Sequence, residues 1–159
     1  MLFGTIRSGG VLILALCCAA VAHSQITHSY AADAYREYAA VFGHSDNPCT
    51  DDGPVPYETC MAKELAFIDP HLNAFVTAIR GVLSARTASQ KRGVEEGEVE
   101  MLNKADAVWR EYRNHVCRLS YGYFRTGSMT TVTPEVEICK LRLSRAYMQQ
   151  LLPLANLEQ

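Results

Sequence analysis

Several things are scarce in this sequence. Of its 159 residues one is tryptophan and six are proline, and base is not in excess: 15 Lys and Arg stand against 17 Asp and Glu, a net charge of −2 with histidine neutral. Without a basic stripe the chain lacks the electrostatic footprint of a nucleic-acid binder. No pair of cysteines has the C-x-x-C spacing of a zinc site, and the five histidines are scattered, so a metal centre is not expected. Alternating apolar and polar runs are missing, which argues against a sheet-built fold, and no internal repeat points to a solenoid. The longest apolar run, VLILALCCAAVA, is shorter than the roughly 20 residues that span a bilayer comfortably.

That run does have a reading. Arg7 is the only charge before it, and small residues follow it, which is the order of a secretory signal: charged start, apolar middle, small-residue cleavage zone. Cleavage after Ala22 or after Ser24 fits. A lipoprotein needs a small residue just before its lipidated cysteine, whereas Leu16 precedes Cys17 and Cys17 precedes Cys18. Residues 1–24 are therefore expected to be a signal peptide, and the protein to be periplasmic or secreted. Without Arg7, 14 basic residues against 17 acidic ones leave about −3.

Setting aside Cys17 and Cys18 leaves Cys49, Cys60, Cys117 and Cys139 of the six cysteines. An even number in an oxidising compartment reads as two disulfides, with three pairings open. Proximity in sequence favours Cys49 with Cys60 and Cys117 with Cys139. A chain of this size forms one domain with a modest core, which two bridges would supplement.

The periodicity is helical. AADAYREYAAVF, from Ala31 to Phe42, sets Tyr35, Tyr38, Ala39 and Phe42 on one side, and the Gly, Pro, Asp and Asn of the following residues to Pro56 are loop chemistry. The clearest apolar period runs through Leu65, Ile68, Leu72, Phe75, Val76, Ile79, Val82 and Leu83 to about Arg86. Asp69-Pro70 interrupts it, as a kink or as a fresh N-cap and first helical residue. A third helix is expected after TASQKRGVEEGEVE, with Met101, Leu102, Ala105, Val108, Trp109, Tyr112, Val116 and Leu119 as its apolar stripe to about Tyr121. A fourth starts at Pro134 and Glu135 and stops at Pro153. The fold class is all-α: a small disulfide-stapled bundle of about four helices with short connections.

The densest chemistry is WREYRNHVC, Trp109 to Cys117. At about 100° per residue, Trp109, Tyr112, Arg113 and Val116 share a side. Trp109 and Arg113, four apart, are placed for a cation–π contact worth about 0.5–2 kcal/mol. Arg113 then lies near the apolar side and needs an acid, Asp69 or Glu64, because a half-buried guanidinium alone is costly. This stretch is expected to be a core stripe rather than a catalytic centre.

Tyr57-Glu-Thr-Cys60, Asp69-Pro-His-Leu72-Asn73, Trp109-x-x-Tyr112-Arg113-Asn114-x-x-Cys117, Thr126-Gly127-Ser128, and Cys139 with Arg145 six residues on follow the order of a known pattern. Over about Cys49 to Leu152 the chain resembles the LprI-like family, small exported domains named for a lysozyme-inhibitor lipoprotein. It departs from the family where Ala105-Asp106-Ala107 replaces a usual Gln, where Asn114 replaces Asp, and where Thr126 replaces a second Gly. With a signal peptide at 1–24 and an N-terminal helix and loop over 25–48 read from the residues, the resemblance implies an LprI-like helical domain over 49–155. Its core motif falls on Asp69, Leu72, Asn73, Trp109, Tyr112 and Arg113.

It also implies a function, inhibition of a lysozyme-type peptidoglycan hydrolase by occlusion of the cleft, with a protein as partner. Lysozymes of animal type are basic, so an acidic inhibitor gains steered association. Two surfaces are candidates. The segment holding Tyr123, Phe124, Arg125, Gly127 and Ser128, bracketed by Cys117 and Cys139, has the aromatic and arginine composition of binding hot spots. The acidic run with Glu95 and Glu96 is the other. The alternative is a periplasmic immunity protein against a delivered amidase, or a structural module of an envelope complex. An enzyme is not expected: Ser128 has no visible triad, and His71 and His115 stand alone. No cofactor, metal, nucleic acid or membrane span after signal cleavage is expected.

Overall fold

A computed structural model describes residues 9–44, 49, 56–89, 97–124 and 134–156, with backbone alone over 9–24 and at 58, 89, 120–124 and 134. Among the described residues four α-helices follow one another: α1 (Gly9–Phe42), α2 (Tyr57–Ser89), α3 (Gly97–Phe124) and α4 (Pro134–Leu151), closed by a 3₁₀ turn over Leu152–Ala155. Among the described residues there is no strand.

The apolar spacing decides what each helix buries. In α2, Ile68, Leu72, Phe75, Val76, Ile79, Val82 and Leu83 are all buried and form one wide apolar face. It lies between α1 on one side and α4 on the other, while α3 packs chiefly on α4 at the outside. α1 brings Ala31, Ala34 and Val41, with Tyr38 stacked on Phe42 at 4.1 Å and tilted toward Phe75 at 6.4 Å. Opposite Tyr30 stands Gly81, where a Cβ would come within 2.5–2.8 Å of the tyrosine ring, so only glycine permits this approach.

Successive helices run antiparallel, as their cross-links require. Glu37 meets His71 and His44 meets Glu64 between α1 and α2. Arg86 meets Glu98 and Arg113 meets Asp69 between α2 and α3. Trp109 meets Tyr147 and Cys117 meets Cys139 between α3 and α4. The 3₁₀ turn brings the chain back to α1, where the Tyr35 hydroxyl donates to Asn156 Oδ1.

Two helices begin earlier than their clearest periodicity suggests. α1 starts at Gly9 rather than Ala31, because residues 11–42 hold no glycine or proline. α2 starts at Tyr57, directly after Pro56, whose carbonyl accepts from Cys60 N at 3.0 Å. It continues through Pro70 without a restart. Pro70 and Ala66 are both exposed, so the carbonyl that loses its helical donor faces water. Asp69 does not cap a helix there; its carboxylate is turned to Arg113.

The rotation of α3 corrects the expected stripe. Leu102, Asp106, Arg113 and Cys117 are buried and Trp109 partly so, whereas Met101, Ala105, Val108, Tyr112 and Leu119 are exposed. Cys117 is tied to Cys139, and Trp109 lies flat on Tyr147. These two anchors turn residues 102, 106, 109, 113 and 117 inward, and a residue one position before each falls about 100° away. Tyr112 is therefore not a core residue. Asn73 is not one either: it follows buried Leu72 by one position and faces outward with Ala74.

Candidate functional site

The polar residues with the most elaborate surroundings lie where α2, α3 and α4 meet. Arg113 is buried, and its Nη1 donates to Asp69 Oδ1 at 2.7 Å and to Ser144 Oγ at 2.8 Å. The Ser144 hydroxyl in turn donates a hydrogen bond to the Lys140 carbonyl at 2.8 Å, one turn back along α4. The guanidinium carbon lies 5.2 Å from the centre of the Trp109 ring, and that indole is stacked on Tyr147 at 4.1 Å with 8° between planes. One cation thus has an anion, a hydroxyl and an aromatic face. That set compensates the cost of taking it out of water.

Two turns toward the N-terminus of α3, Asp106 is buried and accepts from Arg110 Nε at 3.0 Å and, from α2, Arg80 Nη2 at 3.5 Å. Arg80 also donates to Asn103 Oδ1 at 2.5 Å. Burial pushes the Tyr147 hydroxyl up to about 12, with the nearby Asp106 charge adding to it, so the phenol stays protonated at neutral pH. This arrangement holds helices together. Ser144 is buried and its hydroxyl is committed to the Lys140 carbonyl.

The other polar groups bridge α1 and α2. Glu37 Oε2 lies 2.7 Å from His71 Nδ1, and His44 Nε2 lies 3.0 Å from Glu64 Oε2. Phe67 sits between the imidazoles, 4.4 Å from His44 and 4.6 Å from His71. The hydrogen bond from His71 holds the Glu37 carboxyl below its ordinary value. Tyr30, Asp33, Arg36, Glu37 and Thr77 border a shallow depression of about 350 Å³ nearby. Among the described residues no three His, Cys, Asp or Glu side chains gather as a metal site.

Both bridges join near neighbours. Cys49 and Cys60 have Cα atoms 5.7 Å apart, and Cys117 and Cys139 5.5 Å apart. The second closes the base of the α3–α4 connection. Arg125, Gly127 and Ser128, and likewise Glu95 and Glu96, lie outside the described residues. Tyr123 and Phe124 are described only as helical backbone at the end of α3.

With these cysteines, the buried arginine and its indole in place, comparison with known proteins becomes informative. A family model described as lysozyme inhibitor LprI matches residues 49–151. The chain belongs to the LprI family. No curated protein and no solved structure matches it. The LprI match begins at the first bridged cysteine and takes in α2, α3 and all of α4, so both bridges and the Arg113 cluster lie within it.

Sequence reasoning found Asp69, Leu72, Trp109 and Arg113, and the structure brings Asp69, Trp109 and Arg113 together. It missed Ser144, Tyr147, Asp106 and Arg80. A signal for two of them was present: Ser144 and Tyr147 are on the helical face that carries Leu141 and Met148, where polar groups call for partners.

Proposed function

We propose that this LprI-family chain is an exported binding protein that inhibits a lysozyme-type peptidoglycan hydrolase by lying across its cleft. The family match over residues 49–151 carries the reading. Charge supports it, because an acidic chain is drawn to a basic enzyme. So does the chemistry of the buried cluster, which is committed to holding α2, α3 and α4 together and leaves recognition to the exterior.

The contact surface in this reading is the α3–α4 connection, with Tyr123, Phe124, Arg125, Gly127 and Ser128. The Cys117–Cys139 bridge at its base lowers the entropy lost when it docks. The acidic stretch around Glu95 and Glu96 supplies long-range attraction. Export removes residues 1–24, a cut inside α1 that leaves Ala31, Ala34, Tyr38 and Val41 on the retained helix.

Lysozyme turnover on peptidoglycan, measured with and without the purified protein, tests the function. Inhibition that weakens on replacing Tyr123, Phe124 and Arg125 together by alanine supports occlusion by this connection. Full turnover at saturating protein, or inhibition of an amidase instead, rejects it.

A further inference from the structure

α3 is built inside out. Its inner face carries Asp106 and Arg113, while Met101, Val108, Tyr112 and Leu119 are 62%, 67%, 55% and 71% exposed. With exposed Ala105 and His115 these complete a series 101, 105, 108, 112, 115, 119, spaced four, three, four, three, four. That is the 3.5-residue period of a helix whose stripe meets another helix along its length. The stripe covers 18 residue steps, about 27 Å at 1.5 Å per residue.

We propose that α3 pairs antiparallel with α3 of a second copy of this chain, making the protein a self-associating dimer through the Met101 to Tyr112 part of its outer face. Charge selects the partner and its direction. With Tyr112 set opposite Met101 of the other copy, and Val108 opposite Ala105, Lys104 faces Glu111 twice about the two-fold axis. Small Ala105 admits Val108, and a thioether against an aromatic ring is a favourable contact. A parallel pairing in register sets Lys104 beside Trp109 and Glu111 beside Val116 of the other copy, which forms no ion pair, and aligns the two helix dipoles unfavourably. In the single chain Lys104 pairs with Glu100 at 2.5 Å, and His115 with Glu111 at 3.7 Å. Both pairs are largely exposed, so turning Lys104 and Glu111 to a partner costs little.

Sedimentation equilibrium of the purified protein across a concentration series reads the result. The expected outcome is a mass that rises from one chain to two, and Val108→Glu holding the protein at one chain throughout. Lys104→Glu and Glu111→Lys should each weaken association about tenfold or more, and the two together restore it. All these positions are exposed, so thermal melting of the dilute variants should match the parent and separate lost pairing from lost folding. A parent that stays monomeric, a dimer that survives Val108→Glu, or a double exchange that fails to restore overturns the proposal. A monomeric parent whose lysozyme inhibition is lost in Val108→Glu also overturns it, by assigning the stripe to the enzyme instead.

Discussion

α2 and α3 are neighbours of similar length with opposite designs. The inner face of α2 is apolar from Ile68 to Leu83; the inner face of α3 holds Asp106 and Arg113 and leaves four large apolar side chains outside. α2 is held by area removed from water, which is non-directional and tolerates small shifts. α3 is held by directed bonds: a disulfide, a stacked indole, and an arginine shared between Asp69 and Ser144. Directed bonds fix how a helix is rotated as well as whether it packs. That is why α3 can turn an apolar stripe away from the core.

Mutations that distinguish the two modes differ in size. The largest loss should come from α2: Phe75→Ala removes a fully buried ring and should cost about 3–5 kcal/mol in chemical denaturation. Trp109→Ala should cost about 3 kcal/mol, since its ring is only partly buried but loses both Tyr147 and Arg113. A near-neutral midpoint for that variant would mean that α3 is positioned by its disulfide alone. Asp69→Asn keeps the shape and removes the charge facing Arg113. It should cost about 1–2 kcal/mol, less than a fully enclosed pair, because Asp69 reaches solvent.

Smaller effects belong to α1 and to the outer stripe. The hydrogen bond from His71 lowers the Glu37 carboxyl from 4.5, so its contribution is complete above about pH 4.5 and is lost as pH falls through the folded value. Glu37→Gln should flatten that acid limb of stability by less than about 1 kcal/mol, with midpoints above pH 6 unchanged in slope. Leu119→Ser should move the melting of the dilute protein by no more than about 0.5 kcal/mol. A larger loss would place Leu119 in the core and erase the contrast between the two faces of α3.

The legible parts of the fold were those written in period and spacing. Ile68, Leu72, Phe75, Val76, Ile79, Val82 and Leu83 announce a buried helix face, and the cysteine separations of 11 and 22 residues favour local bridges. Arg113 with an acid partner was legible because a cation beside an aromatic stripe is costly without one. Tyr112 was misplaced because a stripe of apolar letters says only which residues prefer burial, and Asn73 because a family motif names residues without saying which way each one faces. α3 has more such letters than its contact with α4 can cover. The place of Ser144 on the Leu141–Met148 face marks a polar group that calls for a partner, but which partner it meets was not legible, because Arg113 stands across from it only in the fold.

The sequence alone determined four helices, two bridges between near neighbours, and a family, since each is set by local period, by separation along the chain, or by a motif. Only the tertiary structure decided which face of α3 turns inward and what meets Arg113. Both depend on the angle at which a helix is anchored to its neighbours, a property of three helices together that no single stretch of residues contains.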